Sequence, residues 1–467
     1  MMSKIYDVII VGTGPSGIFT ALELLRIAPG TEILMLEKGR DISGRACPVN
    51  TNHVKCINCE PCSIMSGWGG AGAYSDGKLT LTTEFGGWLG EFVGKKKLME
   101  LINYIDEIYL EFGATKQTFG QYNDAVREIE RRAAIANLML IPAIIRHLGT
   151  ERNFEILKKM REFLDDKVEI HTKAAVAKID IESGHAVGVT MVDGQQYRGR
   201  KIVCAPGREG AEWFAGECQR LNLVMSNNQV DIGVRVEVPA SVMEHITRHV
   251  YESKLIYYSK SFDDMVRTFC MNPYGEVVLE NTDGLITVNG HSFAEKRTEN
   301  TNFALLVSKR FTEPFKEPIA YGKYIARLAN MLGDGVIVQR FGDLKRGRRS
   351  TVERIERGMV QPTLQDATPG DLSLVLPHRH LVDIIEMLEA LESVAPGVGS
   401  DHTLLYGVEV KYYSMRLALE SDLSTAIPGL YAIGDGAGVT RGLAQASASG
   451  VHVARTVAAA LKTKENH

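Results

Sequence analysis

A chain of 467 residues that is 45% hydrophobic and 24% charged can bury more than one sizeable core. Its formal net charge of −4 argues for no general affinity for nucleic acid or anionic membrane, and the basic run "KRGRR" at 345–349 reads as a solvated face. The N-terminus lacks the regions of a signal peptide and no apolar stretch approaches the roughly 20 residues of a spanning helix, so a soluble, cytoplasmic protein is expected.

The first element is "DVIIVG", a continuous β-branched run of the kind that fills a central parallel strand. Gly12, Gly14 and Gly17 follow in G-x-G-x-x-G spacing around Pro15 and Ser16, and "GIFTALELLRIA" then has a helical pattern. A second apolar run, "EILMLE", ends in Glu37 and is followed by Lys38. The first glycine permits a tight turn, the second lets the backbone approach a pyrophosphate, and the third allows close helix–strand packing. A helix N-terminus facing the phosphates and an acid at the second strand's end, able to accept both ribose hydroxyls, complete the pattern. A dinucleotide site is expected here.

Next comes "CINCEPC", in which Cys56, Cys59 and Cys62 could turn inward on one centre, with Cys47-Pro48 upstream. Reducing cytosol favours metal binding or chemistry over a disulfide. Three readings stay open: a [4Fe–4S] cluster, a structural zinc, and free or redox-active thiols. The doubled C-x2-C bite matches ferredoxin spacing better than zinc knuckles, although the remote Cys-Pro here precedes the trio instead of following it.

Residues 91–165 read as helical, from "KKKLMELINYIDEIYLEFG" through "NDAVREIERRAAIANLML" to "NFEILKKMREFLDD", by their i, i+3, i+4 apolar spacing. Residues 166–225 alternate as strands and end in the buried run "KIVCAPG", with Cys204 as plain core and Gly207 at the exit. Residues 226–400 mix strand-like runs such as "DIGVRVEV" with helices such as "HLVDIIEMLEALESV", an α+β pattern. Residues 401–467 hold "GLYAIGDGAG", a strand and a Gly434-Asp435 turn, followed by a long Ala-rich helix.

At that turn the chain resembles the glutathione-reductase-like family of FAD-binding proteins. The resemblance implies FAD as the dinucleotide and Asp435 on its ribityl chain. It also places Gly442, Leu443 and Ala444 at the flavin pyrimidine ring, and the strands near Val176 over the adenine. Four further stretches, "SGWGGAGAYSDGKLTL" (66–81), "GTERNFEILKKMREFL" (149–164), "RTFCMNPYGEVV" (267–278) and "LLYGVEVKYYSMRL" (404–417), resemble a group of FAD-dependent dehydrogenases. In that group the loop holding Gly70, Ala71, Gly72, Ser75 and Asp76 lies against the flavin. Many relatives carry a second cysteine at the position of Asn272 and an Arg-Thr-Ser-type stretch in place of residues 411–414.

The expected fold is therefore α/β. A discontinuous Rossmann-like FAD domain (1–90, including the Cys-rich loop 47–62, then 166–225 and 401–467) carries a helical insertion (91–165) and an α+β substrate domain (226–400). The expected function is an FAD-dependent oxidoreductase working on a C=C or C–N bond of a small organic molecule. Lys78, Arg267 and Glu409 are its candidate catalytic groups, with Lys411 and His291 behind them, and Cys270 reads as a structural thiol. No second G-x-G-x-x-G follows a strand, which argues against a dedicated NAD(P)H domain. Electrons are expected from a ferredoxin-like donor through the cysteine site, or from NAD(P)H. A flavin-dependent RNA-modifying enzyme and a non-catalytic electron carrier or redox sensor are the alternatives.

Overall fold

The β-branched run at residues 8–11 lies fully inside a parallel sheet, in the strand Ile5–Val11. The computed structural model describes residues 4–48, 57, 59–75, 77–282, 284–292, 297–312, 314–315 and 317–465. It divides into two compact units, the first made of Met1–Gln117, Arg146–Ser226 and Ser414–His467, the second of Thr118–Ile145 and Asn227–Tyr413. The fold class is α/β, as the sequence predicts.

In the first unit Ile5–Val11 runs parallel to Ile33–Glu37 on one side and to Gln196–Cys204 on the other. Glu169–Thr172 extends the sheet beyond Ile33–Glu37, and Leu430–Ala432 pairs in parallel with the end of Gln196–Cys204. An antiparallel meander, Val176–Glu182 to His185–Met191 to Gln196–Cys204, completes it. The first helix, Pro15–Ile27, packs against the closing helix, Leu443–Glu465. Gly450 makes this approach close, because a Cβ there would overlap the Ser16 carbonyl. Glu23, buried in the first helix, accepts from Arg455 (2.6 Å) and Tyr104 (2.7 Å), which ties in the helix Lys95–Glu111.

The second unit is built on an eight-stranded sheet whose two central strands are Val230–Pro239 and Asn300–Lys309. Val230–Pro239 is buried along almost its whole length, yet it carries Asp231, Arg235 and Glu237. Leu404–Lys411 lies between it and Ile337–Arg340. That strand, grouped from sequence with the C-terminal FAD segment, thus belongs to this unit, because its neighbours on both sides do.

Residues 91–165 are not wholly helical. The helix Asp124–Ile135 stops, Asn137 takes a left-handed φ of 57°, and Leu138–Ile141 joins the edge of the second unit's sheet beside Lys254–Tyr258. Of the basic run, Lys345 and Arg346 pair with Asp401 and Arg348 pairs with Asp343. Among the described residues no helix is long and apolar enough to cross a membrane.

The helix His378–Leu391 brings fully buried Asp383 beside Asp264, with Lys309 and Arg379 as the surrounding charges and His380 near them. Burial, then the Asp264 carboxylate, pushes Asp383 up to about 6, while Arg379 and Lys309 outweigh burial and hold Asp264 down to about 2. Burial and Lys309 push His380 down to about 4. Asp383 therefore binds its proton more tightly when folded, so its stabilising share is complete below about pH 4 and is lost as pH rises through about 6. The share of His380 is complete above about 6.5 and is lost as pH falls toward 4, so the two slopes partly cancel. Asp383→Asn removes only the first. Relative to the parent, its urea midpoint should rise from pH 4 to pH 8, and a gap that stays constant with pH would refute the assignment.

Candidate functional site

The turn after the first strand is built by exclusion. Gly12 has a φ of 103°, and a Cβ there would overlap the Ala205 carbonyl at the end of Gln196–Cys204. A Cβ on Gly17 would overlap the Gly12 carbonyl. Gly14 differs from both, because a Cβ there would meet no protein atom within 4 Å. It is also the cap of the first helix and caps it without a side-chain hydrogen bond, with Pro15 in the first turn. The helix therefore starts with amide groups that no cap side chain satisfies, next to open space, which is the arrangement a phosphate requires.

Two other glycine-lined stretches of the first unit reach the same place. The Cβ position of Gly70 lies 3.2 Å from the Gly14 Cα, and that of Gly72 lies 2.9 Å from Leu443 Cδ2 and 3.6 Å from Pro15. Ala71 stands between them in the short turn of helix Gly70–Tyr74. On the other flank, a Cβ on Gly434 would come 2.5 Å from Ser16 Oγ, and one on Gly436 would come 2.5 Å from the Gly207 carbonyl. Asp435 accepts from Thr440 Oγ1 at 2.7 Å, with Arg208 at 3.8 Å. Gly442 begins the turn into the closing helix, where Ala446 donates back to its carbonyl, and Ala444 is buried in that helix. Ser75 donates to the Gly72 carbonyl (2.8 Å), and Asp76 lies outside the described residues.

Glu37 does something the sequence did not suggest. Thr13 donates its N–H (3.0 Å) and its hydroxyl (2.8 Å) to one carboxylate oxygen, while Gly39 (2.8 Å) and Gly67 (3.0 Å) donate their N–H groups to the other. Those four donors match the lone-pair sites of a carboxylate, so Glu37 ties both strand ends and Gly67 together. Lys38 pairs with Glu209, and Val176 opens the meander opposite Met191.

The cysteine site is only partly in view. Cys56 lies outside the described residues, and among the described residues Cys47, Cys59 and Cys62 form no disulfide. Among the described residues no three His, Cys, Asp or Glu side chains are grouped to hold a metal ion.

The candidate catalytic groups fall in different units. Lys78, half-buried in the strand Lys78–Leu81, belongs to the first; Arg267 and Glu409 belong to the second. Glu409 is fully buried and accepts from Arg235 at 2.8 and 3.3 Å, with Lys411 at 3.2 Å. Arg235, equally buried, also donates to the Cys270 carbonyl (2.8 Å), Asn289 (3.1 Å) and Asn302 (3.3 Å). Lys411 has a second carboxylate, Glu280, at 3.3 Å. Burial alone would lower the Lys411 ammonium, but Glu280 and Glu409 outweigh it and hold it above the ordinary lysine value. Gly290 makes room for this cluster, since a Cβ there would overlap the Asn302 and Asn272 amides.

Arg267 is held separately, by Asp231 and by the Tyr413 hydroxyl (2.9 Å), which raise it against the lowering effect of burial. His291 ends the hairpin strand Leu285–His291, opposite Glu276. Cys270 sits at a bulge with a left-handed φ of 47°, and Asn272 donates to its carbonyl at 2.9 Å. Arg235 is the central member that sequence reading passed over. Its signal was present, because a cation in the middle of the run "DIGVRVEV" must be buried with a partner.

Residues 229–412 match the model of the family described as FAD-dependent protein, C-terminal domain-like. The matched stretch lies within the second unit. It is 27% identical over 475 residues to an uncharacterised protein of Clostridium beijerinckii, with 96% of this chain and 80% of that protein covered. Among solved structures it is similar to a 3-ketosteroid-delta4-(5alpha)-dehydrogenase from Rhodococcus jostii (14% identity, TM-score 0.44, 98% of each chain covered). It is also similar to the E. coli quinol fumarate reductase FrdA (13% identity, TM-score 0.42, covering 99% of this chain and 72% of that one).

Proposed function

We propose that the chain is an FAD-dependent oxidoreductase acting on a C=C or C–N bond of a small organic substrate. One observation carries this reading: residues 12–17, 70–72 and 434–444 converge on open space at an uncapped helix start. The family match of residues 229–412 supports it independently. Bound FAD supplies hydride-transfer chemistry.

In this reading Gly14 and the following turn of helix take the pyrophosphate, and Asp435, steadied by Thr440, holds the ribityl hydroxyls. Gly442, Leu443 and Ala444 hold the ring through the start of the closing helix. Val176 covers the adenine, with Gly207 and Gly434 leaving room for the chain to turn. The part of Glu37 is to fasten the two strand ends and Gly67 around the ribose, because its oxygens are filled by protein donors. In the second unit Lys411 and Arg267 are the cations for substrate oxygen or nitrogen atoms. Glu409 keeps Lys411 charged, since its own lone pairs face Arg235 and Lys411.

Purified protein is expected to be yellow, or to take up FAD on reconstitution, and to be reduced anaerobically by reduced ferredoxin, NADH or NADPH. Reoxidation by one member of a panel of unsaturated acceptors then identifies the substrate class. Colourless protein that refuses FAD ends the proposal. Iron and acid-labile sulfide analysis reads the cysteine segment separately: iron with sulfide assigns it to electron delivery, zinc to a staple, and neither to free thiols.

A further inference from the structure

Arg45 lies between the second strand and the glycine turn, outside every group assigned above. It is 5% exposed, and among the described residues its guanidinium donates only to main-chain carbonyls. Nε reaches Ser63 (2.9 Å), Nη2 reaches Ile64 (2.6 Å), and Nη1 reaches both Trp68 (2.7 Å) and Gly70 (2.8 Å). The Tyr74 ring lies under the fork with its centroid at 4.9 Å, and its hydroxyl donates to the Arg45 carbonyl at 2.7 Å. Gly67 completes the fit: at a φ of 118°, a Cβ there would come 2.7 Å from Arg45 Cδ and 3.0 Å from its Nε.

A buried cation is expensive to desolvate, and carbonyl dipoles offset that cost only if several of them are aimed at it. Within the turn Gly70 donates to the Gly67 carbonyl (2.8 Å), and Gly69 donates to the Thr13 carbonyl (2.8 Å) beside Gly14. Gly67, Gly69 and Gly70 all take positive φ, so without an outside restraint the segment has many conformations to choose from. The rigid guanidinium fork adds side-chain restraint to these main-chain bonds by holding carbonyls at 63–64 and at 68 and 70, on either side of Gly67, whose N–H is bound to Glu37.

We propose that Arg45 is a positioning residue: it fixes the glycine turn 67–72 against the helix start at Gly14, and thereby sets how tightly FAD is held and at what potential it is reduced. This rests on the FAD reading above. Lys cannot reproduce the fork, because one ammonium cannot span carbonyls spread over residues 63–70.

The test compares the full-length parent with Arg45→Lys and Tyr74→Phe. Hydrogen exchange over 67–72 is measured without FAD, and FAD dissociation constant, visible circular dichroism of bound flavin and midpoint potential are measured with it. Arg45→Lys should speed exchange in the turn, weaken FAD about tenfold or more, and alter both the flavin dichroism and its potential, with far-ultraviolet dichroism unchanged. Tyr74→Phe should move the same readouts in the same direction by less. Unchanged exchange and unchanged flavin properties in Arg45→Lys overturn the proposal, and so does loss of secondary structure, which would make Arg45 a support of the whole fold. If the parent itself refuses FAD, the cofactor reading fails, and the exchange data alone then judge Arg45.

Discussion

Gly14→Ala should yield a folded protein that no longer retains FAD. Gly14 sits at φ −72°, ψ −179°, an extended conformation any residue adopts, and its added methyl would touch no protein atom within 4 Å. Thermal and urea unfolding should therefore stay close to the parent's. The methyl would stand in the open space at the helix start, where the proposed phosphates lie, and the dissociation constant should rise at least about a hundredfold, or ~2.8 kcal/mol at 1.4 kcal/mol per tenfold. Gly17→Ala is the contrasting control. Its methyl would overlap the Gly12 carbonyl, so that variant should lose stability whether or not FAD is present. A Gly14→Ala protein that binds FAD as the parent does would show that the space at Gly14 is not the phosphate cradle.

The second large effect belongs to Glu409. Removing its carboxylate with Glu409→Ala leaves Arg235 and Lys411 without their shared anion in a region where Arg235 and Glu409 are fully buried. Breaking one half of such a pair typically costs about 3–5 kcal/mol, because the other charge stays buried and uncompensated. At about 2–4 °C per kcal/mol, that is a fall in melting temperature of about 6–20 °C. The double variant Arg235→Met, Glu409→Leu should recover part of the loss, since apolar replacement removes both desolvation penalties. It should not recover all of it, because Asn289, Asn302 and the Cys270 carbonyl lose their donor. A loss below about 1 kcal/mol in Glu409→Ala, in the range of exposed pairs, would mean that the pair is not the buried anchor its geometry describes.

What the sequence made legible was whatever is written locally. The run at 8–11, the glycine spacing at 12–17 and the strand–turn–helix at 430–465 each carry their own periodicity, and each forms the expected element. Pairings set by distant strands were hidden. Leu138–Ile141 looks like the tail of a helix because its partner strand, Lys254–Tyr258, lies far along the chain. The same distance hid Arg235, whose anion is 174 positions away at Glu409. Glu37 shows a third limit. Its type and position were readable, but three of the four donors that fill it are backbone amides, of Thr13, Gly39 and Gly67, which no residue pattern announces.

The path of the chain through its two units has a consequence for biosynthesis. The last residue of the second unit, Tyr413, leaves the ribosome before the strand Leu430–Ala432 and the helix Leu443–Glu465 do. The flank of Gln196–Cys204 and the inner side of the first helix therefore stay bare until that strand and helix have emerged. A nascent chain stalled anywhere before residue 430 should present those surfaces to chaperones and be unable to capture the proposed cofactor, so loading must await residues 430–465.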